Sequence, residues 1–187
     1  MKSFFLGTLV VLLLVPAAAL AARPGQWTGP YVGLKVGLNH SSADGISSEN
    51  AFTAGIYGGY DWMLSRSIVF GGSIFYLWNQ DTGHDVCFAG VCGNVNGGSN
   101  VYGVDGRIGF PMGRSSQFMP YLKIGYAHID LTGDFSGDDT GWRFGAGFEW
   151  QLAYNTSLTF EYTHADYGDD VGNWDNNNLT VGVNFRF

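Results

Sequence analysis

Charge is scarce in this chain. Only 13% of its 187 residues are Asp, Glu, Lys or Arg, against roughly 25% in ordinary soluble domains, so the surface expected of a water-exposed globule is missing. Basic residues are scarcer still. Nine Lys and Arg oppose sixteen Asp and Glu, for a formal charge of −7, and the basic stripe that nucleic-acid phosphates require is absent. Cysteine occurs only at positions 87 and 92, and two isolated thiols are a poor basis for a metal centre. No G-x-S-x-G, H-E-x-x-H or P-loop pattern is present. Beyond the first residues no stretch approaches ~18 consecutive apolar residues, which excludes a helical membrane span. What the chain does have is 29 Gly and 16% aromatic residues, a composition that can bury enough apolar surface to escape disorder.

The N-terminus reads as a processing signal. Lys2 supplies the positive start, residues 4–15 an apolar run of twelve, and Ala19-Leu-Ala21 a small-x-small cleavage site, so residues 1–21 form a secretory signal peptide and 22–187 one mature domain. The mature chain is exported.

Strict alternation then recurs. At 31–39, Val32, Leu34, Val36 and Leu38 are set against Gly33, Lys35, Gly37 and Asn39. At 178–187, Leu179, Val181, Val183, Phe185 and Phe187 are set against Asn178, Thr180, Gly182, Asn184 and Arg186. Segments 52–62, 68–78, 102–110, 121–127, 141–150 and 158–163 behave alike, although Phe75 and Leu77 fall on the polar side of theirs. A period of two with one greasy and one polar face specifies half-buried strands. The connections alternate long and short: 40–50, 79–100, 129–139 and 165–177 against 63–67, 111–117 and 151–156. The pattern predicts an all-β fold, an eight-stranded antiparallel up-and-down transmembrane β-barrel with lipid outside, polar side chains inside, and both termini at the periplasmic end. Trp62, Trp150 and Phe187 at one end and Trp78, Tyr126 and Trp142 at the other read as aromatic girdles.

Parity places Lys35, Arg107, Lys123, Arg143 and Arg186 inside with Asp61, Asp105, Glu149 and Glu161. Such a set can neutralise itself by pairing, as a buried charge must. An interior only wide enough for side chains should therefore be plugged, which disfavours a narrow channel. Replacing Glu149 or Arg143 by Ala is expected to destabilise the barrel. The other twelve of the sixteen carboxylates lie in the four long connections, which contain no Lys or Arg.

In an exported protein Cys87 and Cys92 are expected to form a disulfide. His40, His84, His128 and His164 all fall in or beside the long connections, where strand ends and polar loops tolerate histidine. With nearby carboxylates they are also candidates for binding a transition metal, or one of them for ligating haem. The Asp-rich runs lack EF-hand spacing. No catalytic, cofactor or metal residues are assigned.

Gly29-Pro-Tyr-Val-Gly33, Gly58-Gly-Tyr-Asp-Trp62, Gly106-Arg-Ile-Gly109, Pro120-Tyr121, Gly145-Ala-Gly-Phe-Glu149, Glu161-Tyr162 and the closing Val181-Gly-Val-Asn-Phe-Arg-Phe187 give the mature chain a resemblance to the small eight-stranded outer-membrane barrels. These are the opacity-type and porin-family surface proteins and the membrane domain of outer-membrane protein A. The resemblance implies residence in the Gram-negative outer membrane among lipid and lipopolysaccharide. It also implies that Phe185 and Phe187 act as the insertion signal for the barrel-assembly machinery. Members serve as anchors, adhesins, haem binders and lipid A enzymes, so the fold leaves function open. The preferred expectation is a non-enzymatic surface protein serving envelope integrity, adhesion or host or ligand contact through acidic loops. The alternative is a lipid A-modifying enzyme, but Thr163-His164-Ala165-Asp166 lacks the serine that the lipid A deacylases place beside their histidine.

Overall fold

The computed structural model describes residues 27–43, 46–80, 84–88, 91–95, 97–113, 116–133, 137–167 and 174–187; the expected signal peptide lies outside them. Ten strands follow one another: β1 Gly29–Ala43, β2 Ile46–Ser65, β3 Ile68–Gln80, β4 His84–Phe88, β5 Val91–Val95, β6 Gly97–Gly109, β7 Phe118–Gly133, β8 Gly137–Ala153, β9 Thr156–Tyr167 and β10 Trp174–Arg186. Eight of them close into one antiparallel barrel in the order β1-β10-β9-β8-β7-β6-β3-β2. Closure pairs the first strand with the last, with Tyr31 opposite Arg186 and Leu38 opposite Leu179. No barrel edge is left unpaired, which is what a sheet surrounded by hydrocarbon requires.

The alternation read from the sequence sets the two faces. Val32, Leu34, Val36 and Leu38 of β1 stand exposed on the outer wall with Leu179 and Val181 of β10 beside them, while Lys35, Asn39, Thr180 and Asn184 are buried within. Exposed aromatic residues, among them Trp62, Trp150 and Phe187 toward the short turns and Trp78, Tyr126 and Trp142 toward the long connections, flank this apolar band.

Two expectations need correction. The eight barrel strands are 12 to 20 residues long and extend well into segments read as polar loops: β1 reaches Ala43 and β2 begins at Ile46, inside the stretch 40–50. Ladder hydrogen bonds need no apolar side chain, so pairing continues where both faces are polar and alternation stops signalling it. The long connection 79–100 likewise contains β4 and β5, which pair as a separate two-stranded ribbon.

The second correction concerns the interior, which is not polar throughout. Phe75, Leu77, Val101, Ala127, Ile129, Ala165 and Tyr167 form a buried apolar cluster toward the long connections, and Trp27, Val69 and Met119 form another at the turn end. Phe75 and Leu77 interrupted the sequence pattern because they belong to this inner layer. Trp27, ahead of the first strand, is 1% exposed, and its indole N–H donates to the Ser116 carbonyl at 2.8 Å.

Candidate functional site

Between the two apolar layers lie the nine charged residues. Asp61, Arg107, Glu149 and Arg186 come from β2, β6, β8 and β10, every second strand around the barrel. They close a ring of alternating sign. Arg107 grips Asp61 through Nε at 2.9 Å and a second, shorter bond from Nη2, and reaches Glu149 through Nη1 at 3.0 Å. Arg186 meets the same two carboxylates at 2.7 and 3.3 Å. The Ser157 hydroxyl donates to Glu149, Arg186 also donates to the Trp27 carbonyl at 2.6 Å, and the Tyr31 ring lies 4.7 Å from the Arg107 guanidinium and 5.2 Å from that of Arg186. Two cations and two anions leave this layer neutral, the condition under which buried charge is tolerable. Gly71 makes room for it, because a Cβ there would collide with the Asp61 carboxylate and stand 3.2 Å from Cγ of Arg107.

The remaining five charges form a second group nearer the long connections. Glu161 accepts from Lys35 at 3.0 Å, Lys123 at 2.9 Å and the Tyr121 hydroxyl at 3.0 Å, and Lys123 also pairs with Asp105 at 2.7 Å. Lys35 and Lys123 balance the two carboxylates. Arg143 is therefore the surplus cation. It is only 3% exposed, it lies 3.6 Å from Asp105 and 4.0 Å from Glu161, its Nη1 has no hydrogen-bond partner, and its guanidinium stacks 4.0 Å from the centre of the Phe75 ring. Lys35, Asp105, Arg107, Tyr121, Lys123 and Glu161 are among the residues lining a cavity of about 20 Å³, room for about one water molecule and far below a ligand pocket of roughly 300 Å³ or more.

The other residues singled out in the sequence lie elsewhere. Cys87 and Cys92 are direct cross-strand partners in the β4–β5 ribbon. Phe185 is half-buried and Phe187 is 78% exposed at the end of β10; the Phe187 backbone N–H donates to the Pro30 carbonyl at 3.0 Å. His40 and His84 fall in β1 and β4.

His128 and His164 share an arrangement on the outer wall that sequence reading missed. On β9, Tyr162, His164 and Asp166 follow one another on the outward face, and β10 sets Asp175 opposite Asp166 and Asn177 opposite His164. His164 Nε2 lies 3.0 Å from Asp166 Oδ1, its Nδ1 lies 2.9 Å from Asn177 Oδ1, and the Tyr162 hydroxyl donates to that same oxygen at 2.7 Å. On β7, Tyr126, His128 and Asp130 repeat the spacing, with Asp138 opposite Asp130 and Thr140 opposite His128. Here His128 Nε2 is 2.9 Å from Asp130 and 4.0 Å from Asp138, and Tyr126 donates to Thr140 at 2.8 Å. The signal was available as two copies of Tyr-x-His-x-Asp, but the opposing carboxylates are set by register alone. Among the described hydrogen bonds and ion pairs of His164 and His128 no serine appears.

A sequence model of the outer membrane protein beta-barrel domain matches residues 7–187. The 31 kDa outer-membrane immunogenic proteins of Brucella melitensis biotype 1 and Brucella suis biovar 1 are 28% identical over 206 aligned residues, covering 91% of this chain and 85% of theirs. Among solved structures, Neisserial surface protein A superposes with a TM-score of 0.66 at 17% identity, covering 86% of this chain and 98% of that one. Ail, the attachment invasion locus protein of Yersinia pestis, gives 0.57 at 13% identity with 86% and 99% covered, and has also been solved in complex with the heparin analogue sucrose octasulfate. At these identities the structural likenesses establish the fold.

Proposed function

The chain belongs to the outer membrane protein beta-barrel domain family, and from that premise we propose that it works as a non-enzymatic surface protein, a rigid barrel that displays acidic outer ends for envelope integrity or contact with a partner. It is a Gram-negative outer-membrane barrel. The observation that carries the reading is the filled interior: among the described residues a neutral ring, a second charged layer and two apolar clusters surround a cavity of about 20 Å³, which favours neither a conduit nor an interior substrate pocket. What the molecule can present is its long-connection end.

That end has a definite chemistry. The four long connections hold twelve carboxylates and no Lys or Arg, which favours basic or cation-bridged partners and opposes polysulfated glycans. Purified barrel is therefore expected to flow through a heparin column at physiological salt; retention would point to the glycan contact recorded for Ail. Lipid A mass spectrometry of outer membranes with and without the protein tests the non-enzymatic reading, and identical spectra are expected. A mass shift abolished by H164A or H128A would make the protein a lipid A-modifying enzyme instead. In planar bilayers, reproducible single-channel steps would overturn the plugged interior.

A further inference from the structure

We propose that His164, Asp166 and Asp175 form a binding site for a divalent transition-metal ion of the Zn²⁺ class on the outer wall of the β9–β10 hairpin. The three side chains each offer one donor atom, and these atoms lie within 4.8 Å of one another. Ligand atoms around tetrahedral Zn²⁺, each about 2.0–2.2 Å from the metal, are roughly 3.4 Å apart. Closing the set therefore takes side-chain rotation and no change of strand register.

Three features favour an ion over a solvated surface. Asp166 and Asp175 are direct cross-strand partners and both stand exposed on the same face, a like-charge pair that destabilises a ladder unless a cation lies between them. The imidazole is already oriented: Nδ1 faces the Asn177 oxygen at 2.9 Å, so its proton points away from the carboxylates and the Nε2 lone pair can face the metal, the usual outer-shell device for a histidine ligand. Asn177 is in turn held by the Tyr162 hydroxyl. In the metal-free arrangement Nε2 lies 3.0 Å from Asp166 Oδ1, and metal binding requires that this nitrogen carry no proton.

The donor set selects the class of metal. One imidazole nitrogen and two carboxylates with open positions suit Zn²⁺ and its neighbours, whereas Ca²⁺ needs six to eight oxygens, more than this hairpin supplies. The recurrence on β7 and β8 acts as an internal comparison. There His128 lies 2.9 Å from Asp130 and 4.0 Å from Asp138 but faces Thr140 in place of an asparagine, and among the described residues it is the β9–β10 set whose three donor atoms all lie within 4.8 Å of one another.

The test is Zn²⁺ titration by calorimetry of the full barrel folded in detergent, with heat-modifiable migration on semi-native gels confirming that each variant is folded. One tight site per chain is expected, weakened at least about tenfold in H164A and in D175N, left within about twofold by H128A, and not competed by equimolar Ca²⁺. Because D175N removes one of two facing negative charges, it should fold at least as well as the parent, and it carries the test if H164A does not fold. Undiminished Zn²⁺ affinity in D175N, loss of the tight site in H128A alone, or equal competition by Ca²⁺ would each overturn the proposal.

Discussion

Glu149 and Arg143 lie on the same inward face of β8 and look equivalent in sequence, yet the structure separates them. Glu149 is shared by two guanidinium groups and is fully buried, so E149A leaves Arg107 and Arg186 with one carboxylate between them; breaking such a pair costs about 3–5 kcal/mol. A drop of that size in urea-unfolding free energy is expected, with E149Q intermediate. Arg143 is the surplus cation of its layer, with ion-pair distances of 3.6 and 4.0 Å and an unpartnered Nη1. R143M keeps an apolar stem beneath Phe75 and leaves Lys35 and Lys123 balanced against Asp105 and Glu161. It should change stability by less than about 1 kcal/mol, or increase it; a loss as large as that of E149A would show that Arg143 is structurally required. Parity alone placed all nine charges, since a period of two decides the face. It could not decide partners: Lys35 and Glu161 are 126 residues apart, and their contact depends on closure and stagger.

Strands are legible only where one face is apolar. The membrane-crossing parts of β1 to β3 and β6 to β10 announced themselves by alternation, while their ends near Ala43, Ile46, Gly133 and Gly137 are built from largely polar sequence that pairs through its backbone, and the two five-residue strands of the β4–β5 ribbon are too short to show a period. The ribbon's register makes the disulfide proposal concrete, because Cys87 and Cys92 are opposite one another. Maleimide should label no thiol on the folded protein until reductant is added, and labelling without reductant would remove the disulfide. Closing so short a loop stabilises by on the order of 2 kcal/mol in the chain-entropy model, a contribution confined to the ribbon. C87S/C92S is therefore expected to speed proteolysis between β3 and β6 while the barrel keeps its heat-modifiable mobility.

For the whole molecule, stability and assembly draw on different residues. The closed ladder, the charged layers and the two apolar clusters hold the barrel together, and the Phe187 side chain contributes to none of them. Its ring is 78% exposed, and the residue is tied to the body by the backbone bond from its N–H to the Pro30 carbonyl, which F187A preserves. Its contribution to the folded state is limited to partial transfer of the ring from water into the lipid or detergent interface, less than the roughly 1.5–3 kcal/mol of full burial, and we propose that its further value lies in recognition by the insertion machinery. F187A should accordingly refold from urea into detergent at parental yield, with unfolding free energy lowered by no more than that transfer. In cells it should reach the outer membrane in reduced amount, with unfolded chain accumulating in the periplasm, and F185A should add to the defect. If F187A instead lost more stability than that in detergent and inserted normally in cells, the ring would be a structural element of the β1–β10 seam and the insertion-signal reading would fail.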